Sequence, residues 1–198
     1  MAVPATCDLW AVDRVPRRWQ APAVERRPTL SLNEWAVLGL LAERPRHGYD
    51  IAADLQPQSD VGQVWRVSRQ LVYRALDRLA DLGLAEPRHD EPGASGPRRT
   101  VYAASRRGHA ALRRWLTQPV DHLREVRGGL LLKLVLARRL GVDTAGLVNA
   151  QRSQFADQLA ALALRPPADD PVALWRHHSA AAVASLLEGL AGRDGWRE

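Results

Sequence analysis

Several polar side chains in residues 67–83 have the chemistry and spacing needed to reach nucleic acid. At about 100° per residue, Gln70, Tyr73, Arg74 and Asp77 fall on one side of a helix. Arginine and glutamine can each make two hydrogen bonds to the edge of a base in the major groove. The alternative is an ordinary amphipathic helix whose charged side faces water. This segment alone leaves both interpretations open.

The same segment has the start, the buried face and the end of a helix. Ser68 is a favourable N-cap, because its hydroxyl can accept a hydrogen bond from an amide of the first turn. Val72, Leu76 and Leu79 recur at the spacing of one apolar helical face. Gly83 suits the C-terminal position that requires a positive φ. We therefore predict a helix over residues 67–83, with Ser68 as its N-cap.

Two more helices are predicted before it. Ser31 and Glu34 form a capping-box pattern, and the helix they start should end at Arg44, because Pro45 disfavours a helical residue before it. Residues 47–55 predict a short second helix, and the apolar residues of segment 63–67 predict a short strand.

A hairpin and a fourth helix are predicted after it. Residues 84–90 and 100–104 read as strands, and the loop between them is rich in glycine and proline. Ser105 is placed to cap the following helix. The order helix, helix, helix, hairpin, helix is that of a winged helix-turn-helix, in which 67–83 enters the DNA groove. Arg98 and Arg99 fall on the wing, where they can reach phosphates or a minor groove.

Charge and composition support an anionic partner. The formal charge of the 198 residues is +6 and the pI about 10.5, and segment 92–118 contains arginines but no acid. Cys7 is the only cysteine, so no internal disulfide is expected. We see no membrane span and no signal peptide, and expect a cytoplasmic protein. No metal-ligand spacing, phosphate loop or nucleophile–base pair is visible, so we predict neither cofactor nor metal site and no enzyme activity.

Five short motifs follow one another in this order: L-G-L-L-A-E-R-P-R-H-G-Y-D-I (38–51), L-V-Y-R-A-L-D-R-L (71–79), G-L-A-E (83–86), G-P-R-R-T-V-Y (96–102) and S-R-R-G-H-A-A-L (105–112). Together they resemble PadR-type transcriptional regulators, over roughly residues 30–140. The resemblance implies a dimeric repressor that binds a pseudo-palindromic operator. It also implies that a small aromatic or cationic compound releases the DNA.

The predicted DNA-contacting residues have two sources. The resemblance implies contacts by Ser68, Tyr73, Arg98 and Arg99, and by Tyr49 against a phosphate. Gln70 and Arg74 follow from the helical wheel, because these positions vary in the family. Arg69 is included beside the cap, although Arg69 and Gln70 depart from the small Pro-Gly-type pair usual after the serine. This departure affects the prediction of the operator sequence and leaves the prediction of DNA binding unchanged.

Beyond Pro119, the sequence predicts a helical dimerisation domain. Residues 120–127 read as a polar link, and 130–137 is apolar nearly all round. Thr144 can cap the next helix, which carries an apolar stripe from Leu147 to Leu162. The last helix, from Val172, places Trp175, Ser179, Ala182, Val183, Leu186, Leu187 and Leu190 on one face. This apolar area favours a homodimer, and the alternative is a bundle packed on the winged domain of the same chain.

A small aromatic effector is a further hypothesis. Trp35, Trp65 and Trp115 are candidates to stack on a flat apolar ligand, with core packing of each tryptophan as the alternative.

The expected fold class is mostly α with a small β-hairpin wing. Residues 1–28 are expected to be a disordered basic arm, 29–118 an N-terminal winged helix-turn-helix and 119–198 the C-terminal helical dimerisation domain. The expected function is that of a ligand-responsive, operator-binding repressor. The alternative is a winged-helix protein-interaction adaptor that does not bind DNA.

Overall fold

The computed structural model describes residues 29–93, 96–163 and 169–191, without the side chains of 89–99. The predicted basic arm, residues 1–28, lies outside the described residues. The elements are α1 (Leu32–Glu43), β1 (Arg46–His47), α2 (Gly48–Asp54), α3 (Asp60–Val64), α4 (Arg69–Asp81), β2 (Ala85–Gly93), β3 (Gly96–Ala104), α5 (Arg106–Thr117), a 3₁₀ turn (Leu123–Glu125), a π turn (Val126–Leu130), α6 (Leu131–Arg139), α7 (Ala145–Ala163) and α8 (Pro171–Ala191).

Residues 29–117, which hold α1 to α5 and the sheet, are called the winged unit here. Serine caps start four of its helices, α1, α3, α4 and α5, whereas the N-cap of α2, His47, makes no side-chain cap. Ser31 Oγ accepts from the Glu34 amide at 3.4 Å while the Glu34 carboxylate accepts from the Ser31 amide at 2.6 Å, which confirms the capping box. Ser105 Oγ accepts from the Gly108 amide at 3.0 Å and donates to the Gly83 carbonyl at 2.7 Å. Ser105 therefore joins the start of α5 to the end of the preceding helix.

The prediction of a short strand at residues 63–67 is wrong. Residues 60–64 form α3, whose N-cap Ser59 accepts from the Gly62 amide at 2.8 Å. Short apolar segments do not distinguish strand from helix by their pattern, and here the cap decides. The winged unit consequently has a short extra helix before α4.

A three-stranded antiparallel sheet forms the wing, in the order β1-β3-β2. The two predicted strands are confirmed and run further into the loop than expected, to Gly93 and from Gly96. The two-residue strand β1 was not predicted. It exists because Arg46 pairs with Tyr102, which is distant in sequence.

The main hydrophobic core lies under α4 and extends into α6. Val72, Leu76 and Leu79 of α4 are buried in the same cluster as Leu132 and Leu136 of α6. The fit between α1 and α6 is close: a Cβ added at Gly39 would lie 2.6 Å from the Leu136 methyl carbons. Helix α6 therefore packs directly on the winged unit, although it follows the boundary expected at residue 118.

A second core joins α7 and α8 to the segment after α5. Phe155 and Leu187 are buried in this cluster together with Val120 and Val126. The buried Gln151 side chain accepts from the Val120 amide at 2.7 Å and donates to its carbonyl at 2.9 Å. The expectation that 120–127 is simply a polar link is thus wrong, because its two valines are buried in one cluster with residues of α7 and α8.

An arginine–carboxylate cluster ties α6 to the first helices. Arg139 pairs with Glu43, with Asp60 at 2.8 Å and with Asp54 at 3.3 Å, and the buried Arg46 pairs with Glu43 and Asp54. Burial alone would raise the pKa of Asp60, but hydrogen bonds from Arg139, the Val61 amide and Arg138 hold it below its ordinary value.

The predicted apolar face of α8 divides into two. Val183 and Leu187 are buried, whereas Trp175 is 73% exposed and Ala182 is exposed. The apolar residues cover more than one side of the helix, and α7 covers only one of them. Within the described ranges, no helix is long and apolar enough to span a membrane.

Replacing Gly108 by alanine is predicted to destabilise the protein by about 1–3 kcal/mol, the usual cost of overpacking. An added Cβ would lie 2.1 Å from the Leu84 carbonyl oxygen, so the backbone at the start of the wing must move. The matched control is Gly146→Ala, where a Cβ meets nothing within 4 Å. Urea unfolding measures both. Equal stability of the two variants would contradict the packing of α5 on the wing.

Candidate nucleic-acid interface

Helix α4 combines a buried stripe with an exposed polar face. Val72, Ala75, Leu76 and Leu79 are buried, and their spacing turns the other side of the helix to solvent. The residues predicted from the wheel to face outward are exposed: Gln70, Tyr73, Arg74 and Asp77.

The N-terminus of α4 is also exposed. Ser68 is its N-cap, with Oγ 3.5 Å from the Leu71 amide nitrogen, and Arg69 and Gln70 form the first turn. The free amides of a first helical turn carry partial positive charge and favour an anion such as a phosphate. Arg69 adds a full positive charge at this point.

Tyr49 of α2 meets Arg69 of α4. The guanidinium carbon lies 5.0 Å from the centre of the Tyr49 ring, a cation–π distance, and the tyrosine is 49% exposed. This contact brings a residue from each helix to the same end of the interface.

Tyr73 is oriented by the backbone of α2. An added Cβ at Gly48 would lie 2.8 Å from Tyr73 Cε1 and 3.0 Å from Leu76 Cδ1. The ring therefore lies against the glycine while remaining 46% exposed. Glycine at this position allows the close approach that fixes the outward direction of the tyrosine.

The structure places six of the eight predicted DNA-contacting residues on α4, its cap or the adjoining end of α2. Of the remaining two, Arg98 and Arg99, only the backbone in β3 is described, and their side chains lie outside the described part. Arg66, which was not among the predicted residues, is also exposed, two residues before the cap. The helical wheel starts inside the helix and so did not include this arginine. Its closeness to the predicted N-cap is nevertheless a signal in the sequence.

The three candidate tryptophans line one cavity of about 1620 Å³. Trp35 and Trp115 are stacked, with ring centres 4.7 Å apart and planes 9° from parallel. Trp65 Nε1 donates to Asn33 Oδ1 at 2.8 Å, which fixes its ring on the same wall. Residues distant in sequence thus form one aromatic surface between the winged unit and the start of the second core.

Lys133 is a buried base at this cavity. Its side chain donates to the Gln118 carbonyl, and its Nζ lies 4.9 Å from the Trp115 ring centre. Burial lowers its pKa to about 8, while the nearby Asp121 and Glu125 oppose the shift. Lys133 was not among the residues predicted from the sequence, although a lysine within an otherwise apolar helical stretch is itself a signal.

No group of three or more histidine, cysteine, aspartate or glutamate side chains in the described ranges is arranged to hold a metal ion.

Tryptophan emission is predicted to change with an apparent pKa of about 8. Below this pH an ammonium lies over the Trp115 ring, and above it the amine is neutral, so the field at the indole changes. The pH dependence of fluorescence between pH 6.5 and 9.5 measures this change. In Lys133→Met the component near pH 8 should disappear, and its persistence would show that another group causes it.

Comparisons with known proteins match part of the chain to one family. Residues 37–114 match the model of the transcriptional regulator PadR-like family. A probable transcriptional regulator of Mycobacterium tuberculosis is 29% identical over 100 residues, which are 48% of this chain and 49% of that protein. The aligned part thus spans about half the length of that relative.

Two solved structures of Bacillus subtilis PadR are also similar. The complex with operator DNA has 21% identity and a TM-score of 0.43, over 80% of this chain and 97% of that chain. The complex with p-coumaric acid has 21% identity and a TM-score of 0.38, over 83% and 96%. The matched residues 37–114 of this chain include the whole of α4 and of the wing strands β2 and β3. Through these residues, which are less than half of the chain, the sequence matches the PadR-like family of transcriptional regulators.

Proposed function

We propose that this chain is a sequence-specific DNA-binding repressor, with α4 as the helix that enters the major groove. The observation that carries the proposal is the exposed face of α4, where Gln70, Tyr73 and Arg74 stand opposite the buried stripe. Glutamine reads adenine and arginine reads guanine through paired hydrogen bonds. Tyr73 adds an aromatic ring and a hydroxyl group to the same exposed face.

Phosphate contacts are assigned to the edges of this face. Arg69 and the amides of the first turn of α4 offer positive charge beside the Tyr49 ring. Arg98 and Arg99 of the wing are proposed as further phosphate or minor-groove contacts. Repression follows from the resemblance to PadR-type regulators, in which the bound operator is blocked.

We further propose a homodimer formed through α8. Trp175, Ala182 and Leu186 lie within about 40° of one another around the helix. Trp175 and Ala182 are exposed, and Leu186 is half-buried at the edge of the second core. Leu186 also lines an apolar cavity of about 610 Å³ between α6 and α8. A second copy would cover this surface, and a twofold dimer holds two α4 helices about 34 Å apart, as successive major grooves require.

The aromatic cavity is proposed as the effector site. Trp35 and Trp115 form a flat stacked wall, and Trp65 faces the same space. Indole rings bind flat apolar ligands well. The cavity touches α1, α5 and α6, so a ligand there can alter how the winged unit sits on the proposed dimerisation helices.

Arg74→Ala and Gln70→Ala are each predicted to weaken operator binding by about 1–3 kcal/mol, because each removes a paired contact to a base. Fluorescence anisotropy with a duplex selected from a random pool measures the change. If a residue contacts phosphate instead, its loss is similar for all sequences and the salt dependence becomes shallower by about one unit. The matched control is Arg152→Ala, on the exposed side of α7.

Selection that enriches no sequence, together with no salt-sensitive shift, would contradict the proposal and favour the adaptor. Unchanged affinity in both α4 variants would remove α4 from the interface.

Ala182→Arg is predicted to convert the dimer to a monomer. The residue is exposed in the single chain, so the protomer tolerates the larger side chain, whereas a facing copy does not. The control is Ala181→Arg, about 100° further around the same helix and also exposed. Sedimentation velocity at micromolar concentration distinguishes the two. A monomeric parent protein, or a dimer that survives Ala182→Arg, would contradict this interface.

A further inference from the structure

Lys133 is the single lysine among the 28 lysine and arginine residues of the sequence. Arginine supplies the positive charge at every other such position, and its guanidinium does not lose its proton in proteins. Lysine differs in that its neutral amine is a nucleophile. The position of this one side chain is therefore chemically distinct from the rest of the chain.

Its surroundings hold the amine at the aromatic wall. The residue is 3% exposed and stands in α6, where it lines the cavity together with Trp35, Trp65 and Trp115. Nζ lies 4.9 Å from the Trp115 ring centre and donates to the Gln118 carbonyl at the end of α5. A flat ring in this cavity would thus lie close to the amine.

The same surroundings favour the reactive form of the amine. Burial lowers the pKa of Lys133 from 10.5 to about 8, even though Asp121 and Glu125 oppose the shift. At pH 7, roughly a tenth of the amine is then neutral, a fraction roughly 300-fold larger than at the ordinary pKa. Asp121 and Glu125 also line the cavity, so carboxylates that can exchange protons are present.

We propose that Lys133 captures planar aromatic aldehydes reversibly, as an imine within the cavity. The neutral Nζ attacks the carbonyl carbon and forms a C–N bond. Nζ gives up its two protons, the carbonyl oxygen takes up two and leaves as water, and a C=N bond replaces the C=O bond. No electrons are gained or lost. The inference rests on the proposed effector cavity and adds the chemical class of the ligand.

Imine formation would disturb the contact between two helices. Lys133 belongs to α6 and the Gln118 carbonyl is the C-cap of α5. The imine nitrogen has fewer hydrogens to donate than an ammonium. Capture of an aldehyde therefore weakens a tie between the last helix of the winged unit and the helix that leads to α7.

Reductive trapping tests the proposal on the full chain. The protein is incubated with 2-naphthaldehyde and cyanoborohydride at pH 7, and peptide mass spectrometry locates the naphthylmethyl group. We expect labelling at Lys133, in addition to the N-terminal amine present in every variant. In Lys133→Arg the label on this peptide should be lost.

A surface lysine provides the matched control. In Arg152→Lys, the new amine lies on the exposed side of α7. It should be labelled at least about 10-fold more slowly than Lys133 in the same molecule, because its neutral fraction is much smaller. Equal rates at the two lysines, or no label at Lys133 in the parent protein, would overturn the proposal. The comparison is made within one molecule, so it stands even if Lys133→Arg fails to fold.

The non-electrophilic analogue 2-naphthalenemethanol separates the imine from the cavity. Quenching of tryptophan fluorescence by the alcohol, without labelling by the aldehyde, would overturn the imine and leave the effector cavity supported. The absence of both quenching and labelling would overturn the imine and the effector cavity together. DNA binding is measured independently by anisotropy, so failure at the cavity is distinguishable from failure of the proposed repressor.

Discussion

The burial of one side of α4 is the constraint on which the interface depends. Val72, Leu76 and Leu79 are completely or almost completely buried in the core that α1 supplies, and removing the buried part of such a leucine typically costs about 2–5 kcal/mol. A rotation of α4 would expose this stripe, so packing fixes the direction of its polar side as well. The Gly48 backbone adds a second restraint through its close contact with Tyr73. The outward direction of this face is therefore set by the interior.

The winged unit and the following helices share parts of one structure. Helix α6 contributes Leu132 and Leu136 to the main core, and Arg139 reaches the carboxylates of Glu43, Asp54 and Asp60. Ion pairs of this kind stabilise when several share partners, whereas an isolated exposed pair contributes little. A displacement of α6 would consequently alter its contacts with α1 and α2. This arrangement gives the aromatic cavity, which α6 borders, a physical route to the face of α4.

Local sequence signals predicted most of the fold because most of its elements are locally determined. Serine caps, the apolar period of α4 and the glycine- and proline-rich hairpin act within a few residues of one another. The short strand β1 was missed because Tyr102 supplies its partner, and α3 was mistaken for a strand because its five residues are too few for a period. The tryptophan cavity could likewise be predicted only in part. Trp35, Trp65 and Trp115 were predicted from the sequence as ligand-stacking candidates, but only tertiary packing brings them together with Lys133.

Photocrosslinking tests the central claim most directly. A photoreactive phenylalanine analogue is placed at Tyr73, on the exposed face of α4, and in a second protein at Arg152 on α7. The complex with a selected duplex is irradiated, and the linked nucleotide is identified. The account predicts crosslinks from position 73 to bases of the bound site and none from position 152. Crosslinking from position 152 with none from position 73 would contradict it.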